Sequence, residues 1–133
     1  MSGKGTQQSE SPSDRVRKLL DPYDKLRLEC DGFTQVAHYV LKKAKIPHTV
    51  YHGSVVFGAK GLPLHFWIML DDTTAVDYRL RMWFGDSAPH GVYEYNNDCP
   101  VVYDGEPTTL NVTDFIFDFL TMAGEKLQCD PPK

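Results

Sequence analysis

A thiol, an imidazole and a carboxylate occur in this chain in the order Cys30, His65, Asp77, each where a regular element can hold it. Cys30 stands where an amphipathic helix begins. His65 opens the apolar run HFWIML, and Asp77 lies within the next run, AVDYRLRMWF. These are the parts of an activated cysteine nucleophile: the thiol attacks, the imidazole takes and returns the proton, and the carboxylate orients the imidazole. The unpaired N–H groups and positive end of a helix N-terminus favour an anionic sulfur and offer half of an oxyanion hole. Trp67, Glu29, Asp31 and Arg79 are neighbours of the three in sequence and are expected to line the substrate cleft.

The elements that must position these groups follow from periodicity. Residues 1–13 are polar and rich in Ser, Gly and Gln, which reads as a disordered tail, dispensable for folding up to about residue 12. Ser13 is expected to cap a short helix from Asp14 that breaks at Pro22, and residues 14–133 form a single domain. Phe33, Val36, Ala37, Val40, Leu41 and Ala44 make a 3.6-residue stripe, with Lys42, Lys43 and Lys45 in the last turn and Pro47 as the stop. Strands are expected at 48–57, 64–70 and 75–84, with the GAKGLP segment as a loop. Residues 85–110 read as loop, apart from a strand at Pro100–Tyr103, and nearby Trp83, Tyr93, Tyr95 and Tyr103 suit a specificity region. A helix from about Thr113 to Lys126 presents Phe115, Ile116, Phe119, Leu120 and Ala123, and Asn111-Val112-Thr113, though a glycosylation sequon, reads as its start.

Parity sharpens the placement of His65 and Asp77. The even positions Phe66, Ile68, Leu70 and Val76, Tyr78, Leu80, Met82 are apolar, and they share one sheet face only if even residues pair with even. The simplest way is a three-residue loop, Asp71-Asp72-Thr73, with Leu70 opposite Thr74. Trp67 then faces Asp77 and His65 faces Arg79. His65 and Asp77 become diagonal neighbours about 7 Å apart at Cα on the other face. A two-residue Asp71-Asp72 turn would split them across the sheet.

Composition bounds the function. The 133 residues are 41% apolar and 12% aromatic with a net charge of −4, giving no basic face for nucleic acid. No run reaches the roughly 18 apolar residues of a membrane span, and the N-terminus has no apolar signal core, so a cytoplasmic location is expected. Three widely spaced cysteines, Cys30, Cys99 and Cys129, do not make a disulfide framework and leave a thiol free. His48 and His52 would lie about 13 Å apart along a strand, too far to share a metal. GAKG lacks the strand–turn–helix setting of a phosphate loop. No metal and no cofactor are expected.

The same residues carry a resemblance. Glu29-Cys30-Asp31, the helix to Lys45, Ile46-Pro47, the strand HTVYHG, His65-Phe66-Trp67-Ile68 and Val76-Asp77 follow one another with 35 and 12 residues between the three reactive groups. This order resembles the transglutaminase-like core of the papain-like cysteine enzyme superfamily over about residues 28–84. The resemblance implies an α+β fold: an N-terminal catalytic helix packed on an antiparallel β-sheet, closed by a C-terminal helix. It also implies a Cys30–His65–Asp77 triad acting on an amide or acyl bond through a thioester, as peptidase, amidase, deamidase or transglutaminase-type acyltransferase, on a protein or peptide substrate. Two other readings stay open: a non-catalytic protein-binding module on the same fold, and a small effector or inhibitor.

Overall fold

A computed structural model describes residues 10–129, with side chains through Met122. Helix α1 (Pro12–Leu20) begins two residues earlier than expected. Ser11, rather than Ser13, is the cap, its side chain accepting from the Asp14 N–H, and Pro12 sits in the first turn, where its missing N–H costs nothing. Of the expected tail, residues 12 and 13 are therefore helical, while residues 1–9 lie outside the described residues. A 3-10 turn at Asp21–Tyr23 leads to α2 (Cys30–Lys43), which buries Phe33, Val36, Ala37 and Leu41 of the expected stripe. Its end is a Schellman-type closure: the Ile46 N–H donates to the Leu41 carbonyl, and Lys45 takes the left-handed conformation at φ 61°.

Five antiparallel strands form one sheet in the order β4-β3-β2-β1-β5. They are β1 (Thr49–Phe57), β2 (Lys60–Asp71), β3 (Thr74–Asp77), β4 (Gly91–Glu94) and β5 (Val101–Thr108). With α3 (Arg81–Phe84) and α4 (Asp114–Cys129), the architecture is α+β, a five-stranded antiparallel sheet with four helices. GAKGLP is not all loop. The turn is Gly58-Ala59, β2 starts at Lys60, and Pro63 is tolerated because it falls in an irregularity where register shifts between Gly53↔His65 and Val55↔Leu62. The expected strand 75–84 stops at Asp77 and gives way to the α3 turn, leaving Met82 half exposed rather than in the core. The expected loop 85–110 holds both β4 and the longer β5.

The β2–β3 register is the one parity requires, Ile68↔Val76 and Met69↔Ala75. The connection differs. Asp71, not Leu70, lies opposite Thr74 across a two-residue Asp72-Thr73 turn, and an irregularity between Met69 and Asp71 absorbs the odd residue. Even-to-even pairing survives with a short turn.

The sheet curls until its edges meet. Laid flat, β4 and β5 would be about 19 Å apart, four strand spacings. Instead the Tyr93 and Tyr103 hydroxyls lie 2.6 Å apart, and the Tyr95 hydroxyl accepts from the Tyr103 backbone N–H at 3.0 Å. Two facing glycines allow β1 and β5 to press together. A Cβ on Gly53 would come within 2.3 Å of the Asp104 carbonyl oxygen, and one on Gly105 within 2.7 Å of the Trp67 ring.

One core packs Val16, Leu20, Phe33, Ala37 and Leu41 from α1 and α2 onto Val50, Ile68, Val76 and Val92 of the sheet. A second gathers Val55, Leu80, Phe84, Ala88 and Val101. Helix α4 packs through Phe117, stacked on Tyr39 at 4.2 Å, while Phe115 and Phe119, two of the apolar members named for this helix, are exposed. Thr113 caps it. Among the described residues, no helix is long and apolar enough to cross a membrane.

Because Ser11 satisfies an otherwise orphaned N–H of α1, Ser11→Ala should lower unfolding free energy by about 1 kcal/mol. Urea unfolding measures this, and an unchanged midpoint would show that the cap contributes nothing.

Candidate active site

Asp77 ends β3 with its side chain buried, and each of its oxygens is engaged. Oδ2 accepts from His65 Nε2 at 2.8 Å and from the Tyr103 hydroxyl at 2.7 Å, while Oδ1 accepts from the Arg79 backbone N–H at 3.2 Å. A buried carboxylate without such donors would be very costly. His65, on β2, has no solvent exposure. Its Nδ1 makes no formed hydrogen bond, and the neighbour acting on that ring besides Asp77 is the Cys30 thiol. Burial alone would pull the His65 pKa down. The Asp77 hydrogen bond, the neighbouring Cys30 thiol and the charges of both outweigh it, and the imidazole is raised to about 9. At neutral pH the ring is an imidazolium between two acids. Cys30 itself is half-buried.

Cys30 is held by a clamp on the segment before it. All five N–H donors of the Arg79 side chain are used: Nε to the Leu28 carbonyl, one terminal nitrogen to Asp24 Oδ1 and the Tyr78 carbonyl, the other to the Asp24 and Leu26 carbonyls. The guanidinium also lies 4.4 Å from the centre of the Phe33 ring, on the first turn of α2. Asp24 accepts from His90 as well. Burial raises its carboxyl, but the bonds from His90 and Arg79 prevail and hold it below the ordinary carboxylate range. Three successive alternate carbonyls bound to one rigid fork fix the chain path into Cys30.

The expected cleft residues separate. Arg79 backs a groove beside Glu29, yet no donor remains for a substrate, so its part is to position Cys30 rather than to line a cleft. Glu29 is exposed at the α2 N-cap, makes no side-chain capping bond, and borders that groove of about 440 Å³ with Leu26, Leu28 and Met82. Asp31 is exposed and accepts from the Gly32 N–H at 2.8 Å. Trp67 is buried, packed 6.3 Å from the His65 ring and 4.4 Å from Tyr103. The sequence reading missed the chain Tyr93–Tyr103–Asp77. Burial first, and then the Asp77 charge, holds the Tyr103 phenol well above its ordinary pKa, so it stays a donor. In sequence, Tyr93 and Tyr103 were placed in a specificity region, with nothing to link them to Asp77.

The remaining histidines form other pairs. His38 Nδ1 and His48 Nε2 lie 2.8 Å apart, a contact between α2 and the β1 approach that spacing alone did not reveal. Among the described residues no three His, Cys, Asp or Glu side chains are placed to share a metal ion. No family model, curated protein or solved structure matches the chain.

The raised His65 pKa fixes a stability trend. The folded chain holds this proton to about pH 9, whereas the unfolded chain releases it near 6.5. The contribution is therefore complete below pH 6.5 and is lost as pH rises through 9. Its size is about 3 kcal/mol. Denaturant unfolding from pH 6 to 9.5 should show stability falling across this window, and His65→Gln should flatten the fall. Equal slopes in both proteins would contradict the assignment.

Proposed function

We propose that this chain is a cysteine-dependent enzyme acting on an amide or acyl bond through a thioester intermediate. The observation that carries the reading is the buried His65 ring. One nitrogen is bonded to Asp77 at 2.8 Å, and the other makes no formed hydrogen bond in a ring on which Cys30 acts. His90 also leaves a buried Nδ1 without a partner, so what sets His65 apart is the Cys30 thiol acting on its ring. Resting catalytic hydrogen bonds are often incompletely formed and tighten only with substrate. The resemblance to the transglutaminase-like core, with the same three residue types in the same order, supports the same reading.

In this mechanism Cys30 attacks the carbonyl carbon as a thiolate, its proton already on His65, and the carbonyl oxygen becomes an oxyanion. The Cys30 and Asp31 N–H groups at the start of α2 have no intrahelical acceptor and can receive that charge, whereas the Gly32 N–H is already given to the Asp31 carboxylate. The C–N or C–O bond breaks as His65 gives its proton to the departing amine or alcohol, leaving an acyl-thioester. Water or an amine then attacks the thioester, His65 takes its proton, and Cys30 leaves as the thiolate, restoring the starting pair. Asp77 keeps the imidazole oriented and stabilises its cation throughout. The groove bordered by Glu29 and Met82 would receive a polypeptide substrate, since it opens beside the residue preceding Cys30.

Iodoacetamide labelling followed by peptide mass analysis tests this. At pH 6.5 Cys30 should be alkylated at least about tenfold faster than half-buried Cys99 and than Cys129, and His65→Ala should remove that advantage. With a substrate in hand, Cys30→Ala should abolish turnover and Asp77→Asn should slow it by about 10⁴. If Cys30 labels no faster than Cys99, the enzymatic reading fails and a protein-binding module takes its place.

A further inference from the structure

A second site lies behind the triad's aromatic shield. Tyr51 and Trp67 are register partners on β1 and β2, with parallel rings 5.8 Å apart, and Tyr103 of β5 stacks on Trp67 at 4.4 Å. Tyr95 meets Tyr103 edge-on at 5.0 Å. Together with Asp71 and Asp72 at the β2–β3 turn, these side chains line a cleft of about 260 Å³, and no residue lining it carries a positive charge. Cys30 and His65 are not part of its wall.

The chemistry of this lining selects its occupant. Tyr51 and Tyr95 are partly exposed and line the cleft, where aromatic rings attract a cation without needing its hydrogen bonds, while Trp67 is buried and stacked against both Tyr51 and Tyr103. Two exposed carboxylates at the mouth accept N–H bonds and add charge. Asp71 is held ionised below the ordinary carboxylate range, chiefly because its carboxylate accepts the Thr73 backbone N–H. A pocket for a whole metabolite or drug-sized molecule runs from about 300 to 1,000 Å³, so this cleft suits one extended side chain or a short amine.

We propose that the Tyr51–Trp67–Tyr95–Tyr103 cleft, with Asp71 and Asp72 at its mouth, binds a primary alkylammonium group. This reading stands independently of the cysteine chemistry, because none of its six residues is a member of the triad. The ligand's stem lies along the aromatic faces and its ammonium donates to the carboxylates. A lysine side chain and a free short amine share this chemistry.

The chain has two tryptophans, and Trp83 is 46% exposed, so Trp83→Phe leaves Trp67 as the single indole without disturbing the core. In that protein, n-butylammonium chloride should shift the Trp67 indole N–H resonance saturably at constant ionic strength, while n-butanol should not. Tetramethylammonium, which has no N–H to donate, should bind more weakly. Asp72→Asn and Tyr51→Leu should each weaken n-butylammonium binding by about three- to thirtyfold. Tighter binding of Nα-acetyl-lysine amide than of n-butylammonium assigns the site to a polypeptide side chain, and the reverse order to a free amine; either order upholds the proposal. Equal shifts with n-butanol, tetramethylammonium binding as tight as n-butylammonium, or an affinity unchanged by Asp72→Asn would overturn it. The readout does not involve Cys30, so failure here leaves the cysteine reading intact.

Discussion

The Asp77 carboxylate is the constraint around which the rest is arranged. A buried negative charge persists only when its oxygens are filled by well-placed donors. Here the donors come from three places: the His65 ring on β2, the Arg79 backbone just past β3, and the Tyr103 hydroxyl from β5 at the far side of the sheet. The same carboxylate that orients His65 thus also ties together the curl that brings β5 round toward β3 and β4. The His65–Asp77 pair and the closure of the sheet share one anchor. That sharing gives Asp77 no freedom to rotate away from the imidazole.

Arg79 supplies the complementary constraint. Two residues after Asp77, it turns away and spends its whole fork on Asp24, Leu26, Leu28 and Tyr78. The short interval between Asp77 and Arg79 therefore couples the two halves of the site. One side chain orients the base, and the other fixes the strand of chain that delivers the thiol. Lysine could not replace it, since a point ammonium has three donors and no planar fork. Asp24, shared between Arg79 and His90, keeps that clamp balanced in charge.

Much of this was legible in the sequence, in identifiable places. The α2 stripe was clear because Phe33, Val36, Ala37 and Leu41 repeat at helical spacing and are buried. The even-to-even register of β2 and β3 followed from apolar alternation, and it placed His65 and Asp77 together although the turn was misjudged. Parity is set by the buried face, whereas the irregularity near Leu70 trades one loop residue for one strand residue, which no local pattern records. The start of β5 fell in the expected Pro100–Tyr103 strand, but β4 and the rest of β5 were hidden because Gly, Asn, Asp and Pro dominate their surroundings. Tyr103 and Arg79 were missed in their true roles because their contacts are nonlocal. Their partners lie 26 residues away in one case and more than 50 in the other.

The central claim is that Asp77 keeps a buried His65 cationic beside Cys30 at neutral pH. Nitrogen-15 NMR of the histidine rings in the intact chain tests it directly. At pH 7.5 both His65 ring nitrogens should show the shifts of a protonated imidazolium, with deprotonation near pH 9. In Asp77→Asn the transition should move well below that. A His65 ring that is already a single neutral tautomer at pH 7.5 in the wild-type chain would contradict the account.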